Sequence, residues 1–68
     1  MSAMQNLTAK EINILKLIAQ GYENNTIATE VFLSVHTVKV YVSSIINKLN
    51  AKNRTNAVYI ALKNNIID

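Results

Sequence analysis

The sequence predicts an all-α fold, a compact four-helix domain that contains a helix-turn-helix. Three observations favour it: the chain has no Pro, it has a single Gly, and its apolar residues recur at helical spacing behind good capping residues. Half of the 68 residues are hydrophobic. A chain of this length buries roughly 60% of its unfolded surface, so a core is expected. The absence of Cys excludes a disulfide framework.

The first predicted helix follows a capping box, in which the side chains of Thr8 and Glu11 each bind a backbone N–H of the other residue. Leu7 and Ile12 flank this cap as a hydrophobic staple. Gly21 stands where a left-handed residue ends a helix. The apolar residues at helical spacing form one broad stripe, which consists of Ile12, Leu15, Ile18 and Ala19, widened by Ile14 and Leu17.

A short second helix is predicted to open at Asn24, with Glu23 as a poorer alternative cap. Only about three residues, through Phe32 and Leu33, separate it from the next cap. Two short helices joined by such a turn form the outline of a helix-turn-helix, which needs a small residue in its first helix. Ala28 meets that need. The predicted inner face consists of Ile27, Ala28 and Val31.

The third helix, predicted at about residues 34–49, has Ser34 as its N-cap and Leu33 with Val38 as a second staple. At about 100° per residue, its inner stripe contains Val38, Val42, Ile45 and Leu49, flanked by Tyr41 and Ile46. Its outer face contains His36, Val40, Ser43 and Asn47, with Lys39 and Ser44 at the margins.

A polar loop over residues 50–53 leads to a fourth helix, which begins at residue 53 or 54 and runs to about residue 63. Ala57 and Ala61 are small and lie one helical turn apart, which permits close approach to another helix. The chain is then predicted to turn back onto the core through a left-handed Asn and two apolar residues: Asn64 or Asn65, then Ile66 and Ile67.

Positive charge is concentrated in the second half of the chain. Residues 34–63 contain five cations and no acid, residues 1–33 contain two Lys and three Glu, and Asp68 brings the net charge to +3. A surface that faces a polyanion requires an acid-free region of this kind. A solvated basic face that serves only solubility accounts for the charge equally well.

The outer face of the third helix suits the major groove of duplex DNA, where a helix-turn-helix places its second helix. Val40 is an apolar side chain at the centre of a polar face, and contact with thymine methyl groups gives it a use. A stray surface residue is the plain alternative. Lys39 can reach guanine or a phosphate, and Ser43 and His36 can hydrogen-bond to bases.

Phosphate contacts are expected around the same face. The residues predicted to face phosphates are Thr37, Asn47, Lys52, Arg54 and Asn24. Lys39 and Lys48 join the cations of this group in an expected total of about three to five phosphate contacts per monomer. Affinity is therefore expected to fall steeply as salt rises.

Other function classes fit the residues poorly. His36 has no partner His, Cys or paired acid for a metal site, and no Ser or Thr has the His–acid set of a nucleophilic enzyme. We therefore expect no enzymatic activity, no metal and no cofactor. The dispersed aromatic residues do not form a platform for single strands. A cytoplasmic protein is expected because the sequence contains neither a signal peptide nor a membrane-spanning run.

Four segments match, in order and without a gap, the motifs of one known family. Residues 7–21 follow the pattern LTxxE…VLxLxAxG, and residues 24–28 (NNTIA) are similar to NKEIA. Residues 33–42 (LSVHTVKVYV) resemble LSxxTVKxHV, and residues 48–58 (KLNAKNRTNAV) resemble KLxVxxRTxAV. By these motifs the chain resembles the DNA-binding domains of LuxR type (NarL/FixJ type).

The resemblance implies a four-helix domain whose third helix enters the major groove and whose fourth helix supports dimerisation. In such domains the positions held here by Lys39, Val40 and Ser43 tend to face bases. The positions near the DNA backbone are those of Thr37, Lys52 and Arg54. Four residues depart from the pattern and bear on stability more than on DNA contact: Glu23 for a Ser or Thr cap, Tyr41 for His, Asn56 for Glu and Asn65 for Gly.

The expected function is sequence-specific binding of double-stranded DNA by a bacterial-type transcription regulator. We expect a weak homodimer through the fourth helix, with Val58 and Leu62 as contacts, because paired half-sites call for a dimer. The chain is expected to be the effector domain of a response regulator, with a receiver or ligand-binding domain in a longer native chain, or to stand alone. Residues 7–68 are expected to form the domain, and residues 1–6 a short arm or a start added by cloning.

Two other classes stay open at this point. The first is a helical interaction module that uses the fourth helix, which dimerisation without DNA affinity would favour. The second is a basic helix that adsorbs to anionic membranes. The membrane class is the weaker one, because the third helix carries few cations and its apolar face is needed by the core. No membrane partner is expected.

Overall fold

Four helices joined by short turns make up residues 6–68, the part of the chain that the computed structural model describes. Their bounds are Ala9–Ala19 (α1), Asn24–Val31 (α2), Val35–Lys48 (α3) and Arg54–Lys63 (α4). The all-α prediction is confirmed. None of these four helices has the length and apolar character that a membrane crossing demands. Residues 1–5, most of the expected N-terminal arm, lie outside the described residues.

Both predicted ends of α1 are confirmed. The capping box is complete, because the Thr8 amide donates to Glu11 Oε1 at 2.8 Å and the Glu11 amide donates to Thr8 Oγ1 at 3.1 Å. At the other end Gly21 has a φ of 90°. This conformation lets the Gly21 amide reach the Ile18 carbonyl and the Tyr22 amide reach the carbonyl of residue 17, at 2.9 and 3.2 Å. These two bonds are those of a Schellman motif.

The start of α2 differs from the prediction. Its N-cap is Glu23, the alternative cap, and the Glu23 side chain makes no capping hydrogen bond. Asn24 is instead the first helical residue, and its Oδ1 accepts a hydrogen bond from Arg54. Asn24 as the cap is therefore wrong, because its side chain is bound to another helix instead of to the amides of its own.

The turn between α2 and α3 has the predicted length and an unexpected conformation at its centre. Phe32 is left-handed, with φ 59° and ψ 41°, and this geometry lets the Leu33 amide donate to the Ala28 carbonyl at 3.0 Å. Ser34 then caps α3 by accepting a hydrogen bond from the Thr37 amide at 3.1 Å. The helix-turn-helix is thus held by backbone bonds within the turn and by one side-chain cap.

The core lies between all four helices, with α1 packed against each of the other three. The inner stripe predicted for α3 is buried, as are Ile27 and Ala28 of α2. For α1 the prediction was partly wrong: Ala19 is exposed, and Ile14 is completely buried. The buried face of α1 is centred on Ile14 and Ile18, and Ala19 lies outside it. The other three helices pack around this face.

The fourth helix and the C-terminus follow the prediction. Asn53 caps α4 by accepting a hydrogen bond from the Asn56 amide at 2.8 Å. Ala57 and Ala61 are buried, so α4 lies close to its neighbours. The turn after α4 is made as expected by a left-handed Asn, and the chain then returns to the core through the residues Asn65, Ile66 and Ile67, the last of which is buried.

Replacing Ala28 with Leu is expected to lower the free energy of unfolding by about 1–3 kcal/mol. Ala28 is buried on α2, which packs against α1 and α3, so a larger side chain there overpacks the core. Urea denaturation monitored by circular dichroism measures the change. Replacing the exposed Ala19 with Leu is the matched control and should leave the stability nearly unchanged. Equal effects of the two substitutions would contradict the close packing at Ala28.

Candidate nucleic-acid interface

The outer face of α3 is exposed along its whole length. Lys39 at its margin is exposed, and so are the four residues predicted to project from this face: His36, Val40, Ser43 and Asn47. Val40 is apolar, but 56% of its accessible surface is exposed to solvent, and its neighbours on this face are polar. The opposite face of α3 is completely taken up by the core. The residues predicted to face bases therefore share one accessible surface with Asn47, which was predicted to face a phosphate.

The first turn of α3 is stiffened by its own cap. The Ser34 hydroxyl donates to Thr37 Oγ1 at 2.9 Å and accepts from the Thr37 amide. The bond from Ser34 holds the Thr37 hydroxyl at the start of the helix. The first turn of α3, where the outer face begins, is therefore ordered by hydrogen bonds within the protein.

A groove of about 580 Å³ lies beside the start of α3 and is bounded by residues of α2, α3 and α4. It is lined by residues 21–25, Val35, Lys39 and Arg54. The sequence predicted Lys39, Arg54 and Asn24 as separate DNA contacts, and the structure brings all three to this one groove. The groove is open to solvent on one side, so an extended polymer has access to it.

Arg54 is held in this groove by two hydrogen bonds. One terminal nitrogen of its guanidinium donates to Asn24 Oδ1 at 2.6 Å, and the other donates to the Tyr22 carbonyl at 3.0 Å. A guanidinium has five N–H donors, so three remain for a ligand. Arg54 is thus a structural tie between α4 and the start of α2 as well as a candidate phosphate contact, a double role that the sequence did not indicate.

Lys48 differs from the other cations of the basic half. Its Nζ lies 2.9 Å from Glu11 Oε1, the only ion pair within residues 6–68. The charge of Lys48 is therefore balanced within the protein, which disfavours the expected phosphate contact at this residue. In this part of the chain, the other cations of the basic half have no acidic partner, which leaves their charge available: Lys39, Lys52, Arg54 and Lys63.

Glu11 carries the most connected polar side chain of the described residues. Its carboxylate accepts hydrogen bonds from the Thr8 amide, from Ser44 Oγ at 2.7 Å and from Lys48 Nζ, while only 3% of the residue is exposed. Burial raises the pKa of Glu11, but the bonds from Lys48, Thr8 and Ser44 outweigh it and lower the pKa to about 2. The carboxylate thereby fastens the inner margin of α3 to the start of α1.

The capping-box motif predicts the bonds between Glu11 and Thr8 but not the bonds from Ser44 and Lys48. A signal existed, because at about 100° per residue Glu11 falls on the same arc as Ile14, Leu15 and Ile18. An acid on a buried arc requires cationic or hydrogen-bonding partners. Ser44 and Lys48, one turn apart on α3, supply them.

An exposed apolar stripe runs along α4. Leu62 is 45% exposed and Val58 is half-buried, so both predicted dimer contacts reach the surface. Tyr59 lies between them and is 59% exposed, although the sequence had not indicated it as a contact. Its ring centroid lies 5.8 Å from Lys63 Nζ, a cation–π distance.

Comparison with known proteins decides the family. The family model described as "Bacterial regulatory proteins, luxR family" matches residues 5–61. This chain belongs to the luxR family. Domains of this family bind DNA in regulators of transcription and are generally not enzymatic. The predicted resemblance is confirmed.

Curated relatives include the response regulator protein VraR of Staphylococcus aureus, Staphylococcus epidermidis and Staphylococcus saprophyticus. Each is 46% identical over 61 residues, which cover 90% of this chain and 29% of the relative. A solved structure, the response regulator ChrA of a heme-sensing two-component system, superposes with a TM-score of 0.88 at 38% identity. The superposition covers 97% of this chain and 33% of the ChrA chain. This luxR-family chain therefore spans under a third of the curated relatives that it matches.

Replacing Glu11 with Gln is expected to destabilise the fold by on the order of 2 kcal/mol at neutral pH, because the ion pair with Lys48 is lost. The folded-state pKa of Glu11, about 2, lies below the unfolded value of 4.5, so the wild-type advantage is complete above the unfolded pKa. It is lost as the pH falls through the range between these two values. Urea denaturation of both proteins over this pH range measures the difference.

The matched control for Glu11 is the substitution of Glu30 with Gln, which removes the same charge from an exposed position on α2. The difference between this control and the wild type should stay small and nearly constant over the same pH range. A Glu11→Gln protein that matches the wild type at neutral pH would refute the stabilising role of the buried carboxylate.

Proposed function

We propose that this luxR-family chain binds double-stranded DNA sequence-specifically with α3 in the major groove, and that residues 7–68 form the binding domain. The observation that carries the proposal is the exposed outer face of α3, where Val40 stands among polar residues on a helix whose opposite face is buried. A helix-turn-helix presents its second helix to base edges in this way. Binding alone, without catalysis, accounts for the function.

Four side chains are proposed to read bases. Val40 supplies an apolar surface for a thymine methyl group, and Lys39 a donor for the two guanine acceptors. Ser43 and His36 each supply hydrogen-bonding atoms of either kind. All four lie on the exposed side of α3 within two and a half turns, which suits a short run of base pairs.

The phosphate contacts are proposed to lie on either side of these residues. Lys52 is exposed in the loop before α4, and Arg54 keeps three free donors in the groove beside α3. Thr37, Asn47 and Asn24 are proposed to add uncharged hydrogen bonds. Because Lys48 is paired with Glu11, we propose about three charged contacts per monomer, the lower end of the range expected from the sequence.

The chain is proposed to act as the effector domain of a response regulator. Its curated relatives are response regulators more than three times as long as the matching segment, which is consistent with a receiver or ligand-binding domain elsewhere in a longer native chain. A stand-alone regulator is the alternative. Duplex DNA as the partner implies a cytoplasmic protein.

A weak homodimer through α4 is part of the proposal. Val58, Tyr59 and Leu62 form a stripe on the exposed side of α4, and Val58 also packs against the core. The stripe is short, because residues 58–62 span between one and one and a half helical turns. An interface of this size is expected to hold two copies together only weakly unless DNA places them side by side.

The first experiment is selection of bound sequences from a randomised duplex pool, with the wild type and with Val40→Glu. The wild type should enrich a half-site repeated at helical spacing. Val40→Glu should enrich none, because a carboxylate on the base-facing surface repels the duplex, while its helicity by circular dichroism stays that of the wild type. Binding without enrichment would leave a non-specific basic module, and failure to bind at low salt would favour protein–protein interaction.

The control for this experiment is Asn13→Glu. Asn13 is exposed on α1, outside the proposed interface, and its substitution changes the net charge by the same amount. The Asn13 variant should enrich the wild-type half-site. If both variants lose enrichment equally, net charge and not the outer face of α3 governs recognition.

For the dimer, analytical ultracentrifugation of the free chain is expected to show a monomer with weak, concentration-dependent association. Leu62→Glu should abolish that association, because it places a charge in the apolar stripe of α4. Gln20→Glu, an exposed change at the end of α1, is the control and should leave it intact. A tight dimer without DNA, or association that survives Leu62→Glu, would contradict the proposed interface.

A further inference from the structure

The groove beside α3 contains one charged residue that the DNA-binding proposal does not use. Glu23 lines this groove together with Lys39 and Arg54. Its side chain makes no capping hydrogen bond with α2, although it occupies the N-cap position. It also forms no ion pair with either cation, since the pair of Lys48 with Glu11 is the only one in residues 6–68.

The two cations make this groove a site for an anion. Lys39 comes from α3 and Arg54 from α4, and they reach the groove from different elements of the fold. The guanidinium of Arg54 is fixed there by its bonds to Asn24 and to the Tyr22 carbonyl, so little conformational freedom is lost when its free donors bind an oxygen. The anion nearest to a helix seated in the major groove is a backbone phosphate.

Glu23 opposes such a ligand. A carboxylate in a groove that receives a phosphate repels it, and the repulsion is not cancelled inside the protein because Glu23 has no cationic partner. We infer that this groove holds one phosphate of the duplex against the free donors of Arg54, with Lys39 beside it left to reach a base, and that Glu23 limits DNA affinity by placing a negative charge beside that phosphate. The inference rests on the proposed function, which it deepens by assigning an attenuating residue to the binding site.

An attenuated contact has a physical consequence for a dimeric regulator. Each monomer on its own binds the duplex weakly, so a stable complex depends more strongly on two copies binding together. The effect is electrostatic, and it is therefore greatest at low ionic strength and fades as salt screens the charges.

The test measures the affinity of the 68-residue chain for a short labelled duplex over a range of salt concentrations. Glu23→Gln removes the charge and keeps the size of the side chain. It should bind about threefold more tightly than the wild type at low salt, as expected for two unit charges several ångströms apart in solvent, and the gain should shrink as salt rises. Glu30→Gln is the control, because Glu30 is exposed on the same helix but does not line the groove.

A second variant, Glu23→Thr, separates charge from helix capping. Thr removes the same charge and also supplies a side chain that caps α2, so it should bind as tightly as Glu23→Gln and also raise the Tm by about 5 °C. Glu23→Gln should gain affinity with no such rise in Tm. A gain in affinity confined to the Thr variant would overturn the inference, because helix capping would then explain it.

The remaining outcomes separate this inference from the proposed function. Equal gains for Glu23→Gln and Glu30→Gln would show a general effect of net charge and overturn the role of Glu23. A wild type that binds the duplex with no change in either variant would also overturn it, while leaving the proposed function intact. A wild type and variants that all fail to bind duplex DNA at low salt would refute the proposed function itself.

Discussion

One buried carboxylate ties α3, the helix proposed to face DNA, to the start of α1. Glu11 is almost completely buried, and it accepts hydrogen bonds from its own cap and from two residues of α3, Ser44 and Lys48. Without these partners a buried charge would be strongly destabilising. The helix cap of α1 and the orientation of α3 are therefore coupled, because both use the oxygens of the same side chain.

A second polar tie extends this arrangement to the other end of the helix-turn-helix. The guanidinium of Arg54 joins the start of α4 to Asn24 and to the Tyr22 carbonyl. In the proposed complex, α4 makes the dimer contact and α2 packs against α3, the helix that enters the major groove. Because Arg54 joins α4 to the start of α2, it helps to fix the position of each α3 relative to the dimer contact. The apolar core supplies most of the burial, and the two ties determine how the polar ends of the helices align.

The surface left over by these contacts has three parts with different chemistry. The outer face of α3 is polar with one exposed apolar residue, Val40, and the groove beside it has two cations and one acid. The stripe of α4 is apolar. Base recognition, phosphate binding and self-association are thereby proposed for separate surfaces, so that substitutions at Val40, Glu23 and Leu62 address different properties of one protein.

The amino-acid sequence by itself determined the helices, the N-caps of α1 and α3, and which face of α3 is exposed. The cap at Ser34 and the exposure of Val40 follow from interactions within one or two helical turns, where spacing along the chain is also spacing in space. Only the tertiary structure decided the partners of Glu11 and Arg54, because these residues bind side chains 37 and 30 positions away. Such pairs depend on how the helices pack, and so Lys48 and Asn24 acquired structural roles that no local pattern indicates.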